Sequence, residues 1–295
     1  MAGSDCVDKW KQALELLPLA WRSASEAAGG IVPEEIRLRV GRNPSLLLEG
    51  KETCFREETV SEALLQKVME KATGASMHAA APALSEGFVS YKGLRIGVCG
   101  TAVYRDGVVS GFRNLSSLAI RVPRECRGIC DKVYEHFALE GFRSTLIIGP
   151  PGEGKTTALR ELIRRLSDGG TRVGVADERN ELAAMDRGEA QFDLGRCSDV
   201  LTGVWKGKGA MMLLRGMNPQ ILAMDEITRE EDLEAVLQVS GCGVGVLATA
   251  HGSDPAELSR RRLYRRLLEE NVFAMALTVR RSASGRSYEL ENLRS

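Results

Sequence analysis

The feature that most constrains the fold of this chain is the glycine-rich segment GPPGEGKTT at residues 149–157. The apolar run LII at 146–148 precedes it, and a helix-forming series that begins at Ala158 follows it. The segment fits the pattern G-x4-G-K-[ST] at every specified position. A glycine loop between a buried strand and a helix curls its backbone so that successive N–H groups point at one anion. The segment therefore predicts a parallel α/β sheet with a phosphate site at its edge.

Each residue type in this loop has a predicted role toward a nucleoside triphosphate. The ammonium of Lys155, at the positive end of the helix dipole, is expected to neutralise the β- and γ-phosphates. The hydroxyl of Thr156 is a predicted Mg²⁺ ligand, and Thr157 is expected near the α-phosphate. An accidental glycine-rich turn is the alternative, and the flanking strand and helix argue against it. The expected nucleotide-binding set is Gly149, Pro150, Pro151, Gly152, Glu153, Gly154, Lys155, Thr156 and Thr157.

A second apolar run, ILAM at 221–224, ends in the two carboxylates Asp225 and Glu226. At the carboxyl end of a strand, Asp225 is placed to hold Mg²⁺ as a Walker-B aspartate does, so Thr156 and Asp225 form the predicted metal site. Glu226 is placed to take a proton from an attacking water as a general base. A small-molecule kinase or a switch GTPase does not typically need that second acid. An acidic turn without chemistry is the alternative, but the pair indicates a hydrolase.

Two further predicted strands end in polar residues. The run GVGVLATAHG at 243–252 brings Thr249 and His251 to a strand end, and this strand is expected to lie between the other two. The run VADERNEL at 175–182 ends in charged groups that could orient water or metal, bond a neighbouring subunit or form a solvated loop. Because parallel strands present their carboxyl ends at one edge, these groups are expected at the same rim. The candidate catalytic residues are Lys155, Glu178, Glu226 and His251.

The pattern of the chain changes near residue 145. Upstream, amphipathic helices are predicted at 9–21 and 61–72, apolar and arginine residues alternate over 36–40, and short strands with glycine turns fill 87–122. Downstream, strand, loop and helix alternate, which indicates a mostly parallel sheet with helices on both faces. The expected organisation is a small α+β domain at 1–125, a connecting helix at 126–144 and a P-loop ATPase domain at 145–295.

Charge and cysteine content argue against several protein classes. Lysine plus arginine equals aspartate plus glutamate at 40 each, so no overall basic field attracts nucleic acid. No stretch approaches the roughly 18 apolar residues of a membrane span, and the N-terminus does not resemble a secretion signal. The seven cysteines form an odd set, in which Cys126 and Cys130 near His136 make only half a zinc pattern. We expect a soluble cytoplasmic protein, or at most a peripheral one on a membrane complex.

An arginine-rich stretch, SRRRLYRRLL at 259–268, predicts an amphipathic helix. The favoured interpretation is a packed helix with a solvated basic face. The alternative is a docking surface for an acidic partner or for phospholipid head groups.

Longer strings of this sequence resemble a known family, the stage III sporulation AA proteins, which are related to the type II and type IV secretion ATPases. The resemblance extends over about residues 9–280. The strings that carry it are EEIRLRVGRNPSLLL, GFVSYKGLRIGVCGTAV, GFRNLSSLAIRV, GPPGEGKTT, VADERNEL, FDLGRCSDVLTGVWKGKGAMMLLRGMNPQILAMDEIT and LATAHG.

The resemblance implies a RecA-like P-loop ATPase core that uses ATP and Mg²⁺ in the mother cell of endospore-forming bacteria. It implies a homo-oligomer, a hexameric ring, docked on membrane-channel proteins between mother cell and forespore. By position, Asp177, Glu178 and Glu181 match the acidic box of the secretion ATPases, although DERNE differs from the usual pattern, and His251 matches their histidine box.

A ring ATPase would need an arginine that reaches the γ-phosphate across a subunit boundary. The candidates are Arg196, Arg215, Arg95, Arg113 and Arg121. A nucleic-acid-stimulated RecA-like translocase or repair ATPase is the alternative function, and the neutral charge balance argues against it. A phosphotransferase would make Glu226 superfluous, and a non-hydrolysing nucleotide switch would too.

Overall fold

The computed structural model describes residues 4–22, 32–48, 50–74, 84–85, 87–105, 107–123, 126–186, 188–282 and 285–293. The chain divides into two compact units. The first consists of Met1–Glu125 with Asp186–Gln191, and the second of Cys126–Met185 with Phe192–Ser295. Residues 126–144 thus belong to the second unit, where Val133 and Phe137 are buried in the core.

The described part of the first unit is an α+β structure with a six-stranded sheet of order β3-β2-β1-β6-β5-β4, in which all neighbours are antiparallel. Its elements are α1 (Ser4–Leu16), a 3₁₀ helix (Leu19–Trp21), β1 (Glu35–Arg39), β2 (Ser45–Leu48), β3 (Lys51–Cys54), α2 (Glu62–Thr73), β4 (Phe88–Tyr91), β5 (Leu94–Arg105) and β6 (Val108–Arg121).

Local sequence explains the elements of this unit. Ile36 and Leu38 of β1 are fully buried, whereas the arginines between them are partly exposed, so the predicted strand with one solvated face is confirmed. Helix α2 begins after Ser61, whose hydroxyl accepts the N–H of Leu64, and it ends at Gly74 in the left-handed region. The predicted helix at 61–72 is therefore confirmed within one residue at each end.

The second unit contains a seven-stranded sheet of order β13-β12-β7-β11-β10-β8-β9. All neighbours are parallel except β13, which runs antiparallel to β12. Its elements are α3 (Asp131–Glu140), β7 (Thr145–Gly149), α4 (Lys155–Asp168), β8 (Val173–Asp177), β9 (Ser198–Thr202), α5 (Lys206–Met217), β10 (Ile221–Met224), α6 (Glu230–Gly241), β11 (Gly245–His251), α7 (Pro255–Leu258), α8 (Arg262–Glu269), β12 (Met275–Ser282) and β13 (Gly285–Asn292).

Apolar residues cover both faces of this sheet. Ile147 of β7 packs in one buried cluster with Leu159 and Leu162 of α4, whereas its neighbour Ile148 packs in another with Leu233 of α6. Successive strand residues point to opposite faces, so the two clusters lie on opposite sides of the sheet. The α/β fold with helices on both faces is confirmed, and β11 lies between β7 and β10 as predicted.

Helix α8 occupies the arginine-rich stretch and is amphipathic. Tyr264 and Leu267 are buried, and the hydroxyl of Tyr264 donates to the carbonyl of Ile227 at 2.6 Å. Arg266 pairs with Glu234 at 2.7 Å on the exposed side. Among the residues that the structure describes, none of the helices combines the length and apolar composition needed to cross a bilayer.

Candidate nucleotide-binding site

The glycine loop leaves β7 and enters α4 with little space around its backbone. A Cβ on Gly149 would lie 2.7 Å from the carbonyl oxygen of Val279, so a side chain does not fit there. Gly154 precedes the first turn of α4 with a φ of +99°, a conformation that favours glycine. The first N–H groups of a helix lack intrahelical partners, and here they face the loop as the predicted anion cradle requires.

Lys155 is a buried cation at the base of the loop. Its ammonium donates to the carbonyl oxygen of Pro150 at 2.9 Å and to Nδ1 of His251 at 2.8 Å. Burial lowers the pKa of Lys155, while the nearby carboxylates of Glu226 and Asp225 oppose that shift. The lysine is therefore held in place by uncharged acceptors at a site where an added anion would favour its charged form.

Asp225 lies between two threonine hydroxyls. Thr156 on α4 donates to its Oδ2 at 3.0 Å, and Thr249 on β11 donates to its Oδ1 at 2.6 Å. The predicted metal-binding pair, Thr156 and Asp225, is thus brought together by the order of the strands. A hydroxyl and a carboxylate are hard oxygen donors of the kind that Mg²⁺ prefers.

Glu226 follows Asp225 in a strained backbone conformation, with a φ of +28°. Its N–H donates to the hydroxyl of Thr249 at 2.8 Å, and its Oε1 lies 3.1 Å from Nε2 of His251. Because an ammonium can only donate, Nδ1 of His251 accepts from Lys155 and Nε2 carries the hydrogen that faces Glu226. His251 therefore connects the loop lysine to the candidate base.

The acidic residues that end β8 have different surroundings. Asp177 is buried and accepts the N–H groups of Glu181 at 2.8 Å, Leu182 at 3.1 Å and Ala183 at 2.9 Å. Burial raises the pKa of Asp177, and these hydrogen bonds oppose the shift. Asp177 thus shapes the following loop.

Glu178 instead lies beside Lys206, a residue that sequence reasoning missed. Its Oε2 accepts the N–H of Lys206 at 3.3 Å and lies 3.6 Å from the ammonium. That ammonium is buried and donates to the carbonyl oxygen of Glu226 at 2.8 Å. Lys206 therefore links the end of β8 to the candidate base. In sequence it is one of two lysines in GVWKGKG, and no local pattern separates it from a solvated lysine.

These side chains surround a cavity of about 380 Å³. All four candidate catalytic residues line it, together with both predicted metal ligands. From the glycine loop, the lining residues are Gly152, Gly154, Lys155, Thr156 and Thr157. Pro150 contributes through its carbonyl group, which holds Lys155, whereas Gly149, Pro151 and Glu153 belong to the loop without lining the cavity. Arg286 of β13 also lines the cavity and was not singled out by the sequence.

The arginines considered for a role across a subunit boundary lie elsewhere. Arg196 and Arg215 are exposed and do not line the cavity of their own chain. In the first unit, Arg121 pairs with Glu35 at 2.9 Å, and Arg95 lies 3.9 Å from the ring of Phe88. Arg113 is exposed on β6.

Comparison with known proteins agrees with this geometry. The model of the family described as sporulation stage III, protein AA matches residues 21–288. Stage III sporulation protein AA of Bacillus subtilis (strain 168) is 35% identical over 256 residues, which cover 84% of this chain and 83% of that protein.

Two solved structures share the fold. The pilus retraction motor PilT with bound ADP has a TM-score of 0.64 at 18% identity, covering 92% of this chain and 83% of that one. The ATPase DotB of Legionella pneumophila has a TM-score of 0.62 at 16% identity, covering 93% and 80%. The second unit thus has the RecA-like P-loop core that the sequence predicts, preceded by a smaller α+β unit.

Proposed function

This chain belongs to the sporulation stage III protein AA family, and from that premise we propose that it is a Mg²⁺-dependent ATPase. The observation that carries the proposal is the meeting of Lys155, Thr156, Asp225 and Glu226 around one cavity. A bound phosphate, a metal and an attacking water each have a matching group among these four side chains. The printed names of the two structural neighbours, an ATPase and a pilus motor with ADP, support the same activity.

The residues present fit both implied cofactors. The backbone at Gly149 and Gly154 leaves room for an anion where a Cβ would clash or be strained. The oxygen atoms of Thr156 and Asp225, 3.0 Å apart, form a donor pair suited to Mg²⁺. When bound, the metal ion would neutralise phosphate charge that develops during transfer.

The protein would contribute position and proton transfer. Loop N–H groups bind the phosphates, and Lys155 exchanges its contact with His251 for one with the terminal phosphate. Glu226 accepts the proton of the attacking water at a carboxylate oxygen. His251 orients that carboxylate through its Nε2 hydrogen, and Thr249 fixes the backbone of the glutamate.

At the level of the assembly, we propose a cytoplasmic homo-oligomer, a hexameric ring, that energises or assembles a channel between mother cell and forespore. Membrane-channel proteins of the sporulation apparatus are the proposed partners. Family membership and the fold shared with a pilus motor support this role. The nucleic-acid translocase has the same core fold, and the equal numbers of basic and acidic residues favour it less.

Replacing Glu226 by glutamine tests the proposed reaction. Glu226→Gln should bind MgATP as the unmodified protein does and lose turnover by a factor on the order of 10²–10⁴, because general-base catalysis contributes that much. Phosphate release and equilibrium binding of fluorescent ATP are the two measurements.

The matched control is Glu231→Gln, since Glu231 is an exposed carboxylate near the start of α6 that does not line the cavity. It should hydrolyse ATP normally. Normal hydrolysis by Glu226→Gln would refute the role of the base. Strong stimulation of the unmodified protein by DNA would favour the translocase instead.

A further inference from the structure

We propose that Arg286 is a phosphate-binding residue of this site, which reaches the bound nucleotide from the hairpin formed by β12 and β13. The inference rests on the proposed nucleotide site and adds a residue to it from the edge of the sheet. The ligand class is a nucleoside di- or triphosphate, and the contact is an ion pair between the guanidinium and the phosphate chain.

Arg286 lies directly against the glycine loop. Its Nε is 3.1 Å, and its Cζ 3.4 Å, from the position that a Cβ on Gly154 would occupy. It lines the same cavity as Lys155 and Thr156. A residue 132 positions later in the chain therefore brings a cation to the loop.

The guanidinium of Arg286 has no hydrogen bond or ion pair with another residue in the described part of the chain. The other two lysine and arginine groups that surround the candidate base are engaged. Lys155 donates to Pro150 and His251, and Lys206 donates to the carbonyl of Glu226. Arg286 thus offers its donors to a ligand without first giving up a protein partner.

The opposite strand makes this arrangement unfavourable without an anion. Arg286 lies directly across from Arg281 in the antiparallel pair of β12 and β13. Directly opposed side chains share a face, and like charges in such pairs are destabilising. The next pair on that face, Val279 with Tyr288, packs in the buried cluster of α4. The two arginines therefore extend the α4 face of the sheet toward the phosphate loop, where a phosphate would offset their repulsion.

The geometry of a guanidinium suits this role. Its planar array of N–H groups matches two phosphate oxygens at once, which an ammonium cannot do. A contact to the phosphate chain present in both ADP and ATP changes affinity for each, and it leaves the proton transfer at Glu226 untouched. Arg286 is therefore expected to act on nucleotide affinity more than on the rate at saturation.

The experiment compares Arg286→Ala and Arg286→Lys with Arg280→Ala. Arg280 is on the same hairpin and exposed, but as the neighbour of Arg281 along β12 it points to the other face, and it does not line the cavity. Dissociation constants for MgADP and MgATP are measured by calorimetry, with adenosine as a competitor and thermal unfolding without nucleotide as a check of folding.

Arg286→Ala should weaken MgADP and MgATP binding about tenfold, as expected for loss of a charged hydrogen-bond donor. Arg286→Lys should lie between that variant and the unmodified protein, and Arg280→Ala should remain within twofold. Adenosine should bind all of them equally, and the unfolding temperature of Arg286→Ala should not fall, because repulsion is relieved.

Unchanged affinity for MgADP in Arg286→Ala would overturn the inference, and so would an equal loss of adenosine binding, which would place the contact at the base. Failure of the unmodified protein to bind MgADP would instead remove the proposed function itself. The two failures are therefore distinguished by the behaviour of the unmodified protein.

Discussion

The candidate base is held at its backbone as well as at its carboxylate. Glu226 has a φ of +28°, a conformation that costs on the order of 1–3 kcal/mol and persists only when neighbours enforce it. Its N–H donates to Thr249, and its carbonyl oxygen accepts from Lys206. The ammonium of Lys206 therefore acts as a positioning group for a residue 20 positions away in sequence.

Replacing Lys206 by methionine should separate binding from turnover. Without the hydrogen bond to the carbonyl of Glu226, the strained backbone can relax, and the carboxylate moves from its place beside His251. We expect kcat to fall at least about tenfold, a loss typical for one charged hydrogen bond, with the Kd for MgADP unchanged.

Lys208→Met is the matched control for this prediction, because Lys208 lies two residues further along α5 and is exposed. Lys206→Arg should recover part of the rate, since an arginine can still donate to the carbonyl. A Lys206→Met protein with the unmodified kcat would show that the left-handed conformation needs no support from this lysine.

At the level of single elements, α8 shows how an arginine-rich helix can be part of a core. Leu267 is fully buried in the cluster that also contains Leu233 and Val236 of α6. On the exposed side, Arg266 pairs with Glu234 at 2.7 Å. Exposed ion pairs contribute little, so burial of the apolar side accounts for most of the packing energy of this helix.

Truncating Leu267 should therefore destabilise the second unit much more than removing an arginine charge. Leu267→Ala should lower the free energy of unfolding by about 2–5 kcal/mol, the usual cost of such a cavity. Arg266→Ala should cost under about 1 kcal/mol. Urea unfolding followed by circular dichroism measures both, and equal losses would contradict this account of α8.

At the scale of the whole molecule, cysteine reactivity reports the integrity of the second unit. Cys130 is fully buried, and its Sγ lies 3.8 Å from the carbonyl oxygen of Ala158 in α4. Burial raises the pKa of Cys130 to about 12. Cys54, Cys99 and Cys242 are exposed. The folded protein thus contains two classes of thiol.

We expect iodoacetamide at pH 8 to modify the three exposed cysteines and to leave Cys130 unmodified. A thiol with a pKa near 12 is ionised at pH 8 in a fraction on the order of 10⁻⁴, and only the thiolate reacts. Mass spectrometry of tryptic peptides identifies the modified sites, with a sample in urea as the fully reactive reference. Modification of Cys130 at the rate of Cys242 would show that α3 opens readily.

Local sequence was sufficient for the loop at 149–157, the acidic pair at 225–226 and the period of two in β1. In each case the pattern depends on residues adjacent in the chain, whose backbone geometry is determined by neighbours and by burial of one face. The order of strands also followed, because a parallel sheet with this loop and this acidic pair restricts the possible topologies.

Only the tertiary structure showed what Lys206, Arg286 and Asp177 do. Lys206 and Glu226 meet because α5 begins beside the end of β10, and Arg286 reaches Gly154 because the last hairpin completes the sheet next to β7. A lysine or arginine has the same appearance in sequence whether it is solvated or aimed into a cavity. Its role depends on distances between residues far apart in the chain, and those distances exist only after the sheet has formed.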